Sequence, residues 1–568
     1  MININDTTVA VETSAELKSV LEGNNNITLI YLAKDITLAQ GITILASKSN
    51  VTIDGLYPTD GTGTIHTYTD MNSAGSGDTI GVRSASSIKI TVQNLNVVGK
   101  NYYGLIFVAE ASSTKDVVVT YKNITYNGPQ ITYHPSGLSI YEDLNINIIA
   151  STATSANEVA EAGKIQIGGK TTITHNSTAN SAFWFRGYDG APYLEILENA
   201  EVSITTTRDI AYTGNYLRVS IAKNAVFNVN TKYGFFRDNG HQASSVLVDE
   251  GATFSIVQTQ TNGSYATISC RGKFVVNKNA TLYIESNYQN SAPNILFNTT
   301  SSKFSITDPK KVIIYNKTNA CLSFGNTSTF DFNCGKIDYW LNSPQLISSG
   351  VIGNNPLYSW YKSNEENISI SATVTSSKTT VTSSNLTEAE QEALPQLSLL
   401  TFQTAKTFRF VEAGNLVLKN EPSVIEFQRP LISTNPLILG RKEKTITMTV
   451  VDSRAVSTDW YLYAYIDAPL STSDNERTLT DSLIFVDENN EIKTLGKTPT
   501  LMYTGTKNDG DIKTTTISWE ENKGILFKVI EPLYNGKIYK TTINWILTNE
   551  KIERKLILKA ENNYFKKI

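Results

Sequence analysis

A nine-residue motif recurs four times in the middle of the chain at a nearly constant interval. The segments ILENAEVSI, IAKNAVFNV, VDEGATFSI and VNKNATLYI have their alanines at steps of 25, 27 and 28 residues, at Ala200, Ala225, Ala252 and Ala280. Each segment has a polar pair, then Ala, then apolar residues two apart, which is the alternation of a β-strand. A motif at such an interval indicates one supersecondary unit per repeat, stacked on its neighbours. The pattern predicts a parallel β-helix with the small Ala at the tight turn of each coil.

Strand-like runs extend this prediction toward the N-terminus. Asn, Asp and Gly separate short runs in which β-branched residues alternate with polar ones. Examples are NVTIDG (50–55), SIKITVQNLNVVG (87–99), DVVVTYKNITYNG (116–128) and LNINII (144–149). We therefore expect coils on both sides of the four-fold motif.

A short helix is predicted ahead of these strands. In SAELKSVLEG, Leu17, Val20 and Leu21 follow helical spacing. Ser14 is the expected N-cap, and Gly23 is the expected terminator. A helix here would cover the open end of a solenoid, which otherwise exposes strand edges and core.

The pattern changes in the second half of the chain. It fades after residue 362, so residues 1–365 are predicted to form the solenoid. Residues 366–395 are rich in Ser and Thr and are predicted to form a strand pair or linker, followed by a short helix with a capping box from Thr387 that ends at Pro395. Residues 396–568 alternate well but lack a regular repeat, with turns such as NDGD and YNGK, and they predict an antiparallel β-sandwich.

The composition argues against several functional classes. The net charge of −4 and the scattered charged residues are unlike the basic footprint of a nucleic-acid-binding protein. Three widely spaced cysteines predict no disulfide framework, and four histidines without a C-x-x-C motif predict no structural zinc site. No cofactor or metal is expected. The chain has no apolar run of about 18 residues, so no membrane insertion is predicted.

The first residues bear on the route out of the cell. MININDTTVAVETSAELK has neither the basic region nor the apolar region of a secretory signal. We therefore expect either a mature form or release by another route, for example in phage particles freed by lysis.

Four arginines recur at intervals of roughly one coil. Arg186, Arg208, Arg237 and Arg271 are separated by 22, 29 and 34 residues. Stacked on one face, they would form a ladder that binds an anionic or sugar polymer, because guanidinium groups bind carboxylate and phosphate well. The alternative is a structural ladder in which Asp residues next to Arg208 and Arg237 neutralise them. Both interpretations stay open at the level of the sequence.

The C-terminal part carries two Trp-x-Leu triplets. Trp460 and Leu462 lie in TVVDSRAVSTDWYLYAYI, and Trp545 and Leu547 lie in YKTTINWILTNE, six residues after Tyr539. Their order, spacing and flanking strands resemble the WxL domain of Gram-positive surface proteins, over about residues 400–550. The resemblance implies non-covalent binding to the cell wall, chiefly to peptidoglycan, through these five residues. The alternative is that both tryptophans are core residues of a sandwich.

The N-terminal part resembles the pectate-lyase-like adhesive domains of clostridial and related surface or prophage proteins. The residues that carry this resemblance are AELKSVLEG, NVTIDGLYPTDGTGTI, FWFRG and the coil repeats. The resemblance implies a right-handed parallel β-helix of the pectate-lyase type and an adhesive role. The complete fold prediction is an all-β chain with this solenoid, its N-terminal capping helix, and a WxL-like β-sandwich after it.

The residues argue against catalysis. β-Helix hydrolases need clustered carboxylates, and lyases need a base beside acidic calcium ligands. The chain has no Asp-Asp pair, and His241 lies in GHQ. The acidic stretch from Asp54 to Asp78 is rich in turn-forming residues, which explains its Asp and Gly content. We predict no catalytic residues, although a polysaccharide lyase or hydrolase remains an alternative because distant carboxylates can meet in a solenoid.

These observations favour a non-enzymatic adhesin that binds peptidoglycan or cell-wall polysaccharide on Gram-positive cells. The predicted location is the surface of a virion or of a Gram-positive cell. The preferred interpretation is an attachment component of a phage or phage-like particle, in contact with other virion proteins, and the assembly expected by analogy with tailspikes is a homo-trimer. The alternative is a secreted WxL protein of the bacterial surface. No nucleic-acid partner is expected.

Overall fold

The computed structural model describes most of residues 1–552. The described residues are 1–58, 63–84, 87–186, 190, 192–238, 240–259, 265–287, 292–297, 301–324, 327–343, 346–348, 351–352, 356–361, 367–375, 379–392, 404–412, 416–428, 437–452, 454, 459–474, 476–506, 513–530, 533, 537–549 and 551–552. They form two compact units. The first contains Met1–Ser343, Tyr358–Trp360 and Ile368–Val411, and the second contains Pro344–Leu357, Tyr361–Asn367 and the chain from Glu412.

The first unit is a parallel β-solenoid of about ten turns, as predicted. Each coil contributes strands to three faces, which we name A, B and C in chain order, and each strand pairs in parallel with its equivalents in the neighbouring coils. The long strands Lys89–Val98 and Val118–Gly128 run from face A into face B. Another set of long strands begins in face C and ends in face A: Thr132–Glu142, Ala160–Gly168 and Ile268–Val276.

The remaining strands belong to single faces. Face A also contains Thr8–Val11, Leu29–Leu32, Asn50–Asp54, Tyr193–Ile196, Leu217–Ile221, Ala243–Val248, Ser302–Thr307 and Ser328–Cys334. Face B also contains Ile36–Thr37, Thr67–Thr69, Asn145–Ile148, Lys170–His175, Glu201–Thr206, Val226–Thr231, Thr253–Gln258, Thr281–Ser286 and Lys311–Asn316. Face C also contains Ile42–Thr43, Ile80–Val82, Ile106–Val108, Phe183–Phe185, Asp209–Thr213, Gly234–Phe236, Ile295–Phe297 and Leu322–Phe324.

The four-fold Ala motif lies at the corner between faces A and B, as its pattern predicted. Each Ala is buried and follows a residue in the left-handed backbone region, with φ between 57° and 69° at Asn199, Asn224, Gly251 and Asn279. Asn and Gly adopt this conformation most readily, so each coil turns at the same point. The turns are joined by backbone hydrogen bonds, such as that from Asn224 N–H to the Glu250 carbonyl at 3.0 Å.

Inward positions of all three faces form one continuous core of Val, Ile, Leu and Phe side chains. Aromatic rings stack from coil to coil, as in Phe227 and Phe254, whose ring centroids lie 5.3 Å apart with an interplanar angle of 3°. Because successive side chains of a strand point to opposite sides, every second residue of the same strands is left outside. The outward rows therefore present regular surfaces.

The N-terminal end is covered by the helix Ser14–Glu22, and the three predicted apolar residues are buried. The predicted N-cap was wrong by one residue: the Thr13 hydroxyl accepts the hydrogen bond from the Glu16 N–H at 3.2 Å, and Ser14 is already helical. Gly23 follows the helix in an extended conformation, where a Cβ would lie 2.5 Å from the Ser19 carbonyl. Close approach of the backbone therefore requires glycine here. The strand Ile2–Asn5 pairs antiparallel with Thr8–Val11.

Antiparallel strands close the other end of the solenoid. Ile368–Val374 pairs with Ser328–Cys334 and with Thr379–Ser383, so the Ser- and Thr-rich segment forms the predicted strand pair. Thr407–Val411 pairs with both Lys311–Asn316 and Lys336–Trp340. The solenoid unit thus runs to Val411 and not to residue 365, because these two cap segments satisfy its last strand edges. The helix Glu388–Glu392 follows Thr387, and Pro395 lies outside the described residues.

The second unit consists of small antiparallel sheets around its own core, as predicted for this part of the chain. Its strands are Leu346–Ser348, Val351–Ile352, Leu416–Lys419, Leu437–Leu439, Ile446–Asp452, Asp459–Ile466, Leu470–Thr472, Thr478–Leu479, Leu483–Val486, Ile492–Thr494, Thr500–Thr506, Lys513–Trp519, Gly524–Val529, Tyr539–Lys540 and Ile543–Thr548. The predicted turns at 508–511 and 534–536 lie outside the described residues.

Candidate functional site

One outward-facing column of face C is rich in aromatic rings. Strand register aligns residues from five successive coils, and a sixth coil adds Arg237, whose guanidinium carbon lies 5.1 Å from the centroid of the Tyr212 ring. We name these residues the aromatic column: Phe107, Tyr133, Glu161, Trp184, Tyr212 and Arg237. Rungs of a sheet are about 4.8 Å apart, so six rungs span roughly 24 Å along the solenoid. The column is therefore long enough to contact several units of a polymer.

The strands place these side chains outside because their neighbours face the core. In Phe183–Phe185, both phenylalanines are fully buried and Trp184 between them is partly exposed. Ala160 and Ala162 flank Glu161 in the same way, and Ala211 is buried next to Tyr212. In each of these segments, one outward-facing residue lies between two buried residues. The outward-facing residues of successive coils together form the column.

A cluster of four rings forms one end of the column. Tyr103, from the loop before Ile106–Val108, lies edge-on to Phe107 and Tyr133, at centroid distances of 5.4 and 5.0 Å. Phe107 and Tyr133 stack on each other at 5.2 Å, and Tyr102 packs edge-on against Tyr103 at 5.0 Å. Such packing fixes the rings before any ligand arrives, which reduces the entropy lost on binding.

Charged groups lie in the middle of the column. The Arg186 guanidinium donates a hydrogen bond to Glu110 at 2.7 Å and lies 3.7 Å from a carboxylate oxygen of Glu161. It also lies over the Trp184 ring at 4.5 Å. The second Glu161 oxygen accepts a hydrogen bond from the Tyr102 hydroxyl. Glu161 is almost fully buried, whereas Arg186 and Glu110 keep about a quarter to a third of their side chains exposed.

Burial shifts the ionisation of these groups. It raises the pKa of Glu161, although the Tyr102 hydroxyl and the Arg186 charge act in the opposite direction. Burial, together with repulsion from Glu161, raises the pKa of Glu158 to about 7. Burial also raises the pKa of Tyr133 to about 12. Burial therefore favours the neutral forms of these three groups over their charged forms.

At the far end of the column, aromatic rings lie beside a second arginine, Arg237, and beside His241. Trp184 and Tyr212 lie edge to face at 5.5 Å, and the Tyr212 ring lies 4.3 Å from the His241 ring. The Nδ1 atom of His241 lies 2.8 Å from the Thr213 carbonyl, and its Nε2 atom lies 3.5 Å from an Asp238 oxygen. Exposed ring faces beside fixed hydrogen-bonding groups are the surface that sugars require.

The four predicted arginines do not form one ladder. Arg186 and Arg237 follow face C strands and lie at the aromatic column. Arg208 lies at the corner before Asp209–Thr213, over the Tyr233 ring at 5.0 Å and 3.7 Å from Asp209. Arg271 lies at the bend between the face C and face A halves of Ile268–Val276 and stacks on Tyr216 at 4.0 Å. Variable coil lengths shift their positions, so an interval of roughly one coil does not ensure alignment.

The two Trp-x-Leu triplets lie side by side in the second unit. Their strands pair antiparallel, with Leu462 opposite Leu547. Trp460 and Leu462 are fully buried, and Trp460 stacks on Tyr503 at 5.5 Å. These two residues therefore cannot touch a ligand without a rearrangement of the core. Partly exposed surface remains on the other three predicted residues: Tyr539, Trp545 and Leu547.

The acidic stretch considered for catalysis has structural roles where it is described. Asp54 accepts hydrogen bonds from Gln93 at 2.7 Å and Asn94 at 3.0 Å. Asp70 is buried, and Asp78 accepts a hydrogen bond from Ser73 at 2.5 Å. Within the described part of the chain, no three His, Cys, Asp or Glu side chains are arranged to hold a metal ion. No helix in the described ranges has the length and apolar character needed to cross a membrane.

Sequence reasoning missed most of the aromatic column. Its arginines stood out as FWFRG and FFRDNG, but the rings at the centres of IFV, TYH, FWF and AYT were not connected. The successive steps along the column are 26, 28, 23, 28 and 25 residues, so the interval is hidden by loops of different length. The available clue was an aromatic residue flanked by two buried residues in four of the five aligned coils, with Glu161 at the equivalent position of the fifth.

The fold and this surface define a β-solenoid with an elongated row of partly exposed aromatic rings on one face. Residues 8–133 match the family described as a pectate lyase-like adhesive domain. This match covers less than half of the chain and includes the capping helix and the first coils, and its description is that of an adhesive domain. No curated protein sequence matches the chain.

Two solved structures are similar to this chain at low identity. The SRRP of L. reuteri 53608 is 17% identical over 56% of this chain and 95% of its own length, with a TM-score of 0.31. The SRRP of L. reuteri strain 100-23 is 15% identical over 57% of this chain and 96% of its own length, with a TM-score of 0.39.

Proposed function

We propose that this protein is a non-enzymatic adhesin whose solenoid binds sugar chains of a cell surface through the aromatic column. The observation that carries the proposal is the alignment of partly exposed rings with Glu161 and Arg186 over several coils. Rings cover the apolar faces of sugars, and the partly exposed Arg186 guanidinium and Glu110 carboxylate bind hydroxyls, with Glu161 fixing Arg186 from below. The elongated shape favours a polysaccharide over a small ligand, which would require an enclosed pocket.

The test is binding of the full-length protein to purified Gram-positive walls and to a panel of wall polysaccharides. Trp184→Ala with Tyr212→Ala removes two central rings, and we expect affinity to fall at least tenfold, since buried aromatic anchors often contribute about 2 kcal/mol or more each. Tyr265→Ala is the matched control, because Tyr265 is 42% exposed and does not belong to the column. Equal binding by the double variant and the control would rule out the column as the site.

We propose further that the second unit contributes attachment to the wall, chiefly to peptidoglycan, through the surface around Tyr539, Trp545 and Leu547. These residues retain partial exposure, in contrast to Trp460. In the full-length protein, Trp545→Ala combined with Tyr539→Ala should lower pelleting with peptidoglycan while the solenoid keeps its polysaccharide affinity. Unchanged pelleting would contradict this role.

The carrier of the adhesin and its assembly stay predictions within this proposal. Attachment as part of a phage or phage-like particle predicts that antibodies to the chain label particles released by lysis, whereas a secreted WxL protein predicts labelling of the bacterial surface. Analytical ultracentrifugation of the full chain tests the predicted trimer. Assays for reducing sugars and unsaturated products on the same polysaccharides test the alternative that the solenoid is a hydrolase or lyase.

A further inference from the structure

A second outward row, on face A, is rich in positive charge. Strand register aligns six successive coils in one hydrogen-bonded column, and four of the six residues are cations. The residues, in order along the column, are Lys164, Tyr193, Arg218, Ser245, Lys273 and Lys303. Each is followed in sequence by a fully buried apolar residue, so these side chains face outward. We name them the basic column.

Repulsion between neighbouring cations of the basic column destabilises the folded protein when no anion is bound. Lys273 and Lys303 are directly opposite on adjacent strands, and like charges in this position repel. Lys303 has an ion pair with Asp331 at 2.5 Å. No carboxylate of the described residues lies within ion-pair distance of Lys164, Arg218 or Lys273. Three cations therefore remain available to an anion from outside.

Aromatic rings orient the arginine groups of this surface. The guanidinium of Arg218 lies over the Tyr193 ring at 4.9 Å. Beside the column, Arg271 lies over the ring of Tyr216, which is 43% exposed, at 4.0 Å. A guanidinium stacked on a ring can direct its N–H edge at a carboxylate or phosphate, as Arg218 does in this proposal, and the ring adds a surface for a sugar.

Nearby carboxylates have other partners. Glu195, two residues after Tyr193, accepts a hydrogen bond from the Gln166 side chain at 2.8 Å. Asp331 accepts a hydrogen bond from Ser371 at 2.7 Å besides its ion pair with Lys303. The basic column and these two neighbours together carry four cations and two carboxylates, an excess of positive charge, although the whole chain has a net charge of −4. A local positive row on an acidic protein indicates a specific partner more than general attraction to anions.

From this geometry we propose that the basic column binds a linear anionic glycopolymer along the solenoid axis. Rungs about 4.8 Å apart put Lys164, Arg218 and Lys273 at intervals of roughly 10 Å, with Lys303 one rung further. A chain that carries one carboxylate or phosphate on each repeat, such as a polyuronate or a polyol phosphate, can meet these cations in turn. This site lies on face A and the aromatic column lies on face C, so this proposal does not depend on the proposed function.

The test measures binding of the full-length protein to a polyuronate, to polyglycerol phosphate and to neutral dextran of similar length, at several salt concentrations. We expect one or both anionic polymers to bind and dextran not to bind at this site. In the double variant Arg218→Gln and Lys273→Gln, affinity should fall at least tenfold, and the dependence of log K on log salt should become shallower by about one to two. The polymer that binds identifies whether carboxylate or phosphate is the natural group.

The control variant removes the same number of charges elsewhere. Lys34→Gln and Lys170→Gln alter lysines with 64% and 82% exposed side chains that lie outside the column. We expect less than a twofold change in affinity for this control and unchanged circular dichroism for both variants. Equal losses in the two double variants, binding of DNA as tight as of the glycopolymers, or no binding of either anionic polymer would overturn the proposal.

Discussion

Removal of Arg409 should destabilise the C-terminal end of the solenoid far more than removal of an ordinary surface cation. Arg409 lies on the antiparallel cap strand, directly opposite Asp338. Its Nε and Nη2 atoms donate to the same carboxylate oxygen at 2.8 and 2.5 Å, and Lys336 lies 3.1 Å from the other oxygen. Asp338 is fully buried, whereas Arg409 is 28% exposed. The Arg409→Ala variant therefore leaves a buried carboxylate that has lost the two N–H donors of this guanidinium, with Lys336 still beside it.

The expected magnitude follows from this asymmetry. Breaking a buried pair by removing one partner costs about 3–5 kcal/mol, and the remaining Lys336 lowers this to about 2–4 kcal/mol. Asp338→Ala should cost less, about 1–2 kcal/mol, because the arginine that remains can reach water. Replacing both by apolar residues, Asp338→Val with Arg409→Met, should return the unfolding free energy to within about 1 kcal/mol of the wild type.

The measurement should be local as well as global, because a chain of two units need not unfold in one step. Chemical denaturation gives the free-energy differences, and hydrogen exchange gives the protection of the amides in Lys336–Trp340 and Thr407–Val411. Lys122→Ala is the matched control, since Lys122 forms an exposed ion pair with Glu142 at 3.1 Å and should cost less than about 0.5 kcal/mol. The reasoning is refuted if Arg409→Ala costs no more than this control, or if the apolar double variant is the least stable of the set.

Three further predictions concern the core. Trp460→Ala should lower the unfolding free energy of the second unit by about 3–5 kcal/mol, and Trp545→Ala by less because it is partly exposed; equal losses in denaturation experiments would contradict the assigned burial. Burial raises the pKa of every cysteine thiol, so the native protein should resist alkylation at neutral pH until denaturant is added, as mass spectrometry can measure at Cys270, Cys321 and Cys334. Burial raises the pKa of Asp70 from 3.8 to about 7 and lowers that of His134 from 6.5 to about 3. Asp70 binds its proton more tightly in the folded protein than in the unfolded chain, so its contribution to stability falls as the pH rises from about 4 to 7. His134 binds its proton more tightly in the unfolded chain than in the folded protein, so its contribution to stability falls as the pH drops from about 6.5 to 3. Asp70→Asn should therefore flatten the first limb of the stability profile and His134→Gln the second, and a profile that neither variant changes would contradict the assignment.

The fold could be predicted from the sequence where one physical requirement recurs in several coils. In four of them the corner between faces A and B has a left-handed residue followed by a small one, and only a few residue types satisfy this, so three Asn-Ala pairs and one Gly-Ala pair mark these turns. The capping helix was also predictable, because its three apolar residues follow helical spacing. The end of the solenoid was not, since Thr407–Val411 joins it through contacts with residues about 70 to 100 positions earlier in the chain.

The candidate sites depend on register, which the sequence does not display. Trp184 and Tyr212 are neighbours because Phe183 pairs with Ala211, and this alignment is set by loops whose lengths differ from coil to coil. The same effect separates Arg208 and Arg271 from Arg186, although the series that also contains Arg237 recurs at roughly one coil. The interval between two residues in the sequence shows that they lie in successive coils. Their positions within those coils decide whether they lie on the same face.

A solenoid can carry two different polymer sites because its faces are built from different residues of the same coil. The strand Tyr193–Ile196 presents Tyr193 on the basic column, while Trp184, nine residues earlier, belongs to the aromatic column. In both columns, successive residues are separated by the distance between neighbouring strands, so a ligand on either column must extend along the solenoid axis. Substitutions on one face leave the other face and the shared core intact, which makes the two proposed affinities separable by mutation. If both hold, a single chain can contact two kinds of surface polymer at once, and the gain in overall affinity depends on how close the two polymers lie on the cell.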